Sequence, residues 1–421
     1  MDLHRLSRHL VVFLSLLCHA LPVLADEGIF ALGERGVFEV RVTQRETGNE
    51  VSHGSGFIAG AGDLLITNYH VVEPVIGHPG SYRLELFAPD GARHGAELLD
   101  FDVIHDLAVV RAERVLGEPF PLAGPPARGE RLFSMGNPLD LGLTLSRSTN
   151  NGPLEASDSD RLLLSGTLNP GMSGGPTFDA QGRVVGINVA IAGDELALVI
   201  PAEFAGALLA RVGERGGKAI DDPAAAISAQ VIAHLNRRHA RMAAATRTLT
   251  TLGAWSFPDA IDHTVRCWDD SREPEPADYY LYTGLACSNQ YGIYIDDERS
   301  FGIVDYEFGL LRPRDIGRLH FARIYEGFNN HNLHNVADDE SHTPFACLTR
   351  FVSLAERSFK TTICRRDYRD YPGLSDVLFT AALVGDPQLG VFARGTLEGV
   401  PYPGSITVIE KLLGAMAWKP R

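Results

Sequence analysis

Between Gly28 and Arg211 the chain is a succession of short apolar runs rich in β-branched residues: VFEVRVTQ, GSGFIAG, DLLITNYHVV, YRLELFAP, LAVVRAE, RLFSMG, RLLLSGTL, RVVGINVAI and LALVIP. Glycine-containing turns separate them at regular intervals, and no long helical pattern intervenes. Strands of this length and spacing bury an apolar face only by closing into a barrel or pairing two sheets, so this half is expected to be all-β. Within it only Pro201 to Gly216 reads as a helix, with proline near its start and glycine after its end.

A second stretch of strand-like runs begins at Trp255 and continues to the end: TVRCWDD, DYYLYTGLACSN, YGIYID, FGIVDYEFGLL, FARIYEGF, FACLTRFVSLA, SFKTTICRR, DVLFTAALVG, GVFARGTLEGV and SITVIEKLLGAMAW. Between the halves, Pro223 to Arg247 is rich in alanine and other helix formers behind Asp221 and Asp222, whose charge suits a helix N-terminus. A length of 421 residues with 45% hydrophobic composition supports more than one core. The expected divisions are residues 1–25, 26–215, a helical connection over 216–252, and a second β-rich domain over 253–421.

The first segment has basic residues Arg5 and Arg8, an apolar run from Leu10 to Leu24, and Val23 and Ala25 where a signal peptidase needs small residues. It reads as a secretory signal that is removed, which makes the mature chain periplasmic or secreted. His19 and Pro22 interrupt a run already shorter than the roughly 20 residues that span a bilayer, so no stable membrane anchor is expected. Removal takes away Cys18 and leaves Cys267, Cys287, Cys347 and Cys364. In an exported protein an even number without two-residue metal spacing favours disulfides. Three connectivities are open, and the local pairs Cys267 with Cys287 and Cys347 with Cys364 are preferred. With 53 acidic against 38 basic residues and a net charge of -15, nucleic acid is not an expected partner.

Chemistry concentrates in LNPGMSGGP, Leu168 to Pro176, where Ser173 stands among glycines. A turn would need the glycines and nothing else. A serine nucleophile also needs a positioned base and a carboxylate to orient it. Upstream, His70 ends GSGFIAGAGDLLITNYHVV at an expected strand terminus, and Asp106 opens DLAVVRA. His, Asp, Ser is one of the chain orders in which that triad geometry occurs. Asp102 is an alternative carboxylate but precedes the strand, and His53 and His105 read as solvated loop histidines.

In order along the chain, GSGFIAG with LLITNYHVV, HDLAVV, MGNPLDLGLTL, LNPGMSGGPTFDAQGRVVGINVAI and LALVIP resemble the segments of HtrA/Deg-type trypsin-like serine proteases, over about residues 28–210. The resemblance implies a double β-barrel and peptide-bond hydrolysis without a cofactor, acting on protein or peptide substrates. Ser173 would attack, His70 would serve as base and then acid, Asp106 would orient the imidazole, and the amides of Gly171 and Ser173 would form the oxyanion hole. Thr167 and Leu168 would lie at the primary specificity pocket, with Val189, Ala190 and Ile191 as the strand edge that pairs with substrate. No acidic residue stands at that floor, which points to small or medium aliphatic residues rather than Lys or Arg. Met172 occupies a position where a polar residue is the expectation.

The resemblance stops near residue 210, and no PDZ-like pattern follows, so the family's oligomer is not implied and the oligomeric state stays open. NNHNLHNVADDESH, with His331, His334, Asp338, Asp339, Glu340 and His342, has ligand types for a divalent ion; it reads as a polar surface loop, and no metal is expected. The rival to an endopeptidase is a silent protease fold whose second domain captures a partner protein.

Overall fold

The computed structural model describes residues 26–419 apart from 139–140, 156–157, 159, 194, 246–247, 290–291 and 330–339; for 190–193 the backbone alone is described. The proposed signal segment and the histidines and aspartates at 331–339 lie outside the described residues.

Strands β1 (Val37–Gln44), β2 (Glu50–Ile58), β3 (Leu64–Thr67), β4 (Tyr82–Phe87), β5 (Arg93–Asp102) and β6 (Leu107–Ala112) close into a barrel in the order β1-β2-β3-β6-β5-β4. A second barrel comprises β7 (Arg131–Gly136), β8 (Thr144–Pro153), β9 (Leu162–Ser165), β10 (Pro176–Phe178), β11 (Val184–Gly193) and β12 (Leu196–Pro201). Its order, read from β7, is β7-β8-β9-β12-β11-β10, which repeats the first barrel's connectivity. All pairings are antiparallel, and the inward positions are apolar: Val40 and Val42 on β1, Leu65 on β3 and Val110 on β6 are fully buried.

Three helices accompany the barrels. Helix α1 (Asp26–Gly33) and helix α2 (Tyr69–Gly77) were not apparent from the residue pattern, whereas α3 (Ala202–Glu214) falls inside the expected helical stretch. His70 therefore stands in the first turn of a helix, not at a strand end. The cause is at β3, which stops at Thr67; Asn68 is extended and α2 then buries Tyr69, Val72 and Ile76 along one side.

Helix α4 (Pro223–Ala244) forms where the alanine-rich stretch predicts it. Pro223 sits at its start, and the Asp222 carboxylate caps it by accepting from the Ala225 amide at 3.0 Å. Ile227, Val231, Leu235 and Met242 are buried, and on another side the Asp158 carboxylate accepts from His234 Nε2 at 2.7 Å and also pairs with Arg241. Asp158 belongs to the loop between β8 and β9, so the helix is fastened to the second barrel. Burial would raise the Asp158 carboxyl, but His234, Arg238 and Arg241 outweigh it and hold it low.

Beyond α4, β13 (Leu249–Leu252), β14 (Trp255–Pro258) and β24 (Ala417–Trp418) form a small sheet. The main layer is a seven-stranded antiparallel sheet containing β15 (Val265–Asp269), β16 (Tyr280–Asn289), β19 (Ile303–Pro313), β20 (Ala346–Leu354), β21 (Arg357–Asp367), β22 (Leu374–Leu383) and β23 (Gly390–Pro401), in the order β15-β16-β19-β23-β22-β21-β20. A separate hairpin joins β17 (Ile293–Asp296) to β18 (Arg299–Phe301). Both disulfides are the preferred local pairs, Cys267–Cys287 and Cys347–Cys364. Each links directly opposed residues, one between β15 and β16 and the other between β20 and β21. The open sheet thus has each outermost strand bolted to its neighbour.

Two runs expected as strands are helical: FARIYEGF lies inside α5 (Arg318–Asn329), and SITVIEKLLGAMAW lies in α6 (Tyr402–Gly414) up to Gly414, with only Ala417 and Trp418 in β24. In α5, Phe321, Ile324, Tyr325 and Phe328 recur at helical spacing and pack on Tyr282 and Phe392 of the sheet. In α6, Ser405, Val408, Ile409, Leu412 and Leu413 do the same. A single apolar cluster runs from Val40, Val72 and Val110 of the first barrel through Val231 of α4 to Phe308, Val377 and Val408.

Candidate active site

Asp106 ends the turn after β5 and takes φ +55°, a left-handed conformation that aspartate tolerates better than bulky residues. Its backbone carbonyl accepts from the Asn68 side-chain amide at 2.7 Å and from the Tyr69 amide at 3.2 Å. Its carboxylate holds the next residue at two points: Oδ1 accepts from the His70 backbone amide at 2.9 Å, and Oδ2 meets His70 Nδ1 at 2.7 Å. The imidazole is thereby fixed in plane, with Nε2 left for a reacting group. Burial disfavours the charged ring and the Arg161 guanidinium opposes it too, but the Asp106 charge and hydrogen bond prevail and raise the His70 pKa above its ordinary value.

The other carboxylate and the other histidines are engaged elsewhere. Asp102 Oδ2 meets His105 Nδ1 at 2.7 Å, and Oδ1 caps the amides of Ile104 and His105. His105 is not a solvated loop residue: its ring stacks on Phe204 of α3 with centroids 3.7 Å apart. His53 likewise lies inside β2, with Nδ1 3.3 Å from Glu50 and a buried Nε2 against Gly171.

Ser173 is carried by the turn between β9 and β10. Gly171 has φ +93° and Gly174 φ +84°. A Cβ at Gly174 would stand 2.2 Å from the Ser55 carbonyl oxygen, and one at Gly171 2.6 Å from that of Asn137, so backbone shape and space both demand glycine. The turn is sewn to the first barrel through Ser55. Its amide donates to the Ser173 carbonyl at 2.7 Å, while its fully buried hydroxyl donates to the Gly171 carbonyl at 2.7 Å and accepts from the Asn137 amide at 2.9 Å. The Met172 amide, in the same peptide unit as the Gly171 carbonyl, donates to the Asn169 carbonyl at 3.0 Å. Ser55 was not singled out from the sequence; its only signal there is its place in GSG, a small polar residue between glycines.

The Ser173 hydroxyl donates to the Val189 carbonyl of β11 at 2.9 Å. Thr167 is exposed, and its carbonyl accepts from Ser146. Leu168 is buried with Leu132, Leu164, Met172 and Val199 inside the second barrel, which gives Met172 an apolar packing role. Ala190 and Ile191 lie on β11 opposite Leu198 and Ala197. Among the described residues no cluster of His, Cys, Asp and Glu could hold a metal ion.

Residues 54–187, from β2 into β11, match the trypsin-like peptidase domain family. Over the double barrel the chain is similar to trypsin-like serine proteases of the HtrA and DegP kind. Serine protease HTRA4 of Homo sapiens is 32% identical over 164 residues, covering 36% of this chain and 33% of that protein. The probable periplasmic serine endoprotease DegP-like of Chlamydia trachomatis is 29% identical over 158 residues, 36% of this chain and 31% of its own. A crystal structure of the Rv3671c protease from M. tuberculosis, active form, is 24% identical with a TM-score of 0.39, covering 51% of this chain and 95% of that one. The chain spans about a third of the length of the curated relatives it matches.

Proposed function

We propose that the HtrA/Deg-type domain is an active serine endopeptidase in which Ser173 attacks the scissile carbonyl, His70 takes and returns the proton, and Asp106 fixes the imidazole tautomer. The observation that carries this reading is the two-point grip of Asp106 on His70, across the barrel junction from a serine on a turn shaped by Gly171 and Gly174. The amides of Gly171 and Ser173 would receive the developing oxyanion, where one donor is worth about 100- to 1000-fold in rate.

Substrate would add as a strand along β11 at Val189 to Ile191. A backbone N–H arriving there competes for the Val189 carbonyl and releases the Ser173 hydroxyl to His70 Nε2, so binding and activation of the nucleophile are coupled. Thr167 and Leu168 would border the pocket for a small or medium aliphatic residue. Export from the cytoplasm fits the two disulfides, which persist in oxidising compartments. No described helix is long and apolar enough to cross a membrane.

A fluorophosphonate probe applied to the full-length mature chain should label Ser173, and Ser173→Ala should abolish the signal. A folded wild type that stays unlabelled would overturn the endopeptidase reading in favour of a silent fold that binds a partner.

A further inference from the structure

We infer that the second domain supplies one wall of the catalytic cleft, and that Tyr294 on β17 restricts the substrate residue immediately before the scissile one to small side chains. The inference rests on the endopeptidase reading and adds a subsite to it.

Tyr294 stands edge-on to the His70 imidazole, with ring centroids 6.3 Å apart and an interplanar angle of 85°. It meets Tyr69, the preceding residue on α2, at 6.4 Å and 76°. The ring therefore lies over the start of the helix that carries the base. It is held rigidly there. The next residue, Ile295, is buried, and its carbonyl accepts from the buried Tyr69 hydroxyl at 2.9 Å. The Tyr294 hydroxyl donates to Asp297 at 3.0 Å, across the tip of its own hairpin. Arg299 closes that hairpin on Asp296 at 2.8 Å and lies over Tyr371 at 5.3 Å, tying the hairpin back to its own domain.

The direction of substrate then places a side chain against this ring. In an extended peptide successive side chains point to opposite sides of the backbone. A peptide paired with β11 whose scissile residue faces the second barrel must send the preceding side chain the other way, toward His70 and the start of α2. A glycine or alanine passes over the imidazole beside the Tyr294 ring that touches it; a large aromatic side chain must displace that ring, whose hydroxyl is tied to Asp297. The Tyr69 ring is buried and its hydroxyl is committed to the Ile295 carbonyl, so the wall beside the His70 ring belongs to the second domain.

The test uses the full-length mature protein and two peptidyl diphenyl phosphonates that share a valine at the scissile position and carry alanine or phenylalanine before it, alongside a simple fluorophosphonate. The rate of Ser173 modification in the wild type should favour alanine by at least about 10-fold, within the range that shape discrimination by an apolar wall reaches. Tyr294→Ala should bring the ratio near one, while Tyr294→Phe keeps it. Tyr294→Leu, which retains apolar packing on Tyr69, provides a second opening should the alanine variant not fold. Simple fluorophosphonate labelling with no alanine preference in the wild type, or a preference unchanged in Tyr294→Leu, overturns the Tyr294 wall and leaves the endopeptidase reading intact. Absence of all labelling in folded wild type overturns both.

Discussion

The double barrel and the seven-stranded sheet are made of the same material, antiparallel strands of β-branched and aromatic residues, yet they are finished in different ways. Each barrel closes on itself, so edge is left only where a strand outruns its neighbour, as β11 does beyond Ile187, where its pairing with β10 ends. The sheet stays open, with β15 and β20 at its limits, and each is cross-linked to the strand inside it. Strand β20 is exposed along nearly all its length, including Phe351 and Leu348, and has little burial to hold it. Closure makes a rigid frame on which a charge pair can be set to a few tenths of an ångström; covalent staples make a frame whose margins need not be packed.

That difference can be attacked at its sharpest point first. Asp106→Asn should lower the turnover number by about 10⁴-fold, because a neutral amide presents the wrong group to His70 Nδ1, while Asp102→Asn should leave the rate near wild type. Hydrolysis of a peptide substrate checks both, and equal losses would remove Asp106 from its special place. On the proposed reading His70 acts as base only when neutral, and Asp106 raises its pKa against the effect of burial; activity should therefore fall as pH drops through a value above the usual 6.5.

Ser55→Ala probes the stitching between barrels rather than the reacting groups. It leaves the Gly171 carbonyl and the Asn137 amide without their shared partner, and the oxyanion turn should loosen enough to cost about 100-fold in rate with the fold retained. A rate unchanged in a folded Ser55→Ala variant would show that the glycines alone set the turn. On the other side of the comparison, each disulfide closes a loop of about 20 residues and should contribute about 3 kcal/mol in the chain-entropy account. Reduction should speed hydrogen exchange in β15 and β20 well before the barrels are affected; uniform acceleration throughout the chain would mean the staples matter globally.

The smallest effect lies where the two regions touch. Glu73 on α2 is half-buried near Asp296 and Asp297 of the β17–β18 hairpin, and burial first, then those charges, raise its pKa from 4.5 to about 7. A folded-state pKa above the unfolded one means that the folded protein holds more protons through this window. Its contribution to stability is full below about pH 4.5 and is lost as pH rises to about 7. Glu73→Gln should flatten that decline by a few degrees in melting temperature, and an unaltered pH profile would place the hairpin's hold elsewhere.

What could be read from the chain followed the range of the interactions. Gly171 and Gly174 announce a turn because glycine's conformational freedom is local, and the cysteine pairs were legible because their partners are close in sequence. The strand-rich runs of both halves likewise show in the spacing of their turns. Helices α5 and α6 were misread because aromatic and β-branched residues dominate them, although Phe321, Ile324, Tyr325 and Phe328 carry the helical period. His53 and His105 looked solvated because neither the buried side of β2 nor the Phe204 ring is visible from their neighbours. Tyr294 gave no signal at all: its relation to His70 exists only after two sheets and a connecting helix have been brought together.

The buried Tyr69 hydroxyl, satisfied by a carbonyl of the second domain, makes the two halves poor candidates for independent exchange. Recombination that joined this double barrel to a foreign C-terminal half would strand a phenol and uncover one flank of the helix bearing the base. Any change in the β17–β18 hairpin that moves the Ile295 carbonyl is thus felt at the first turn of α2, one residue from His70.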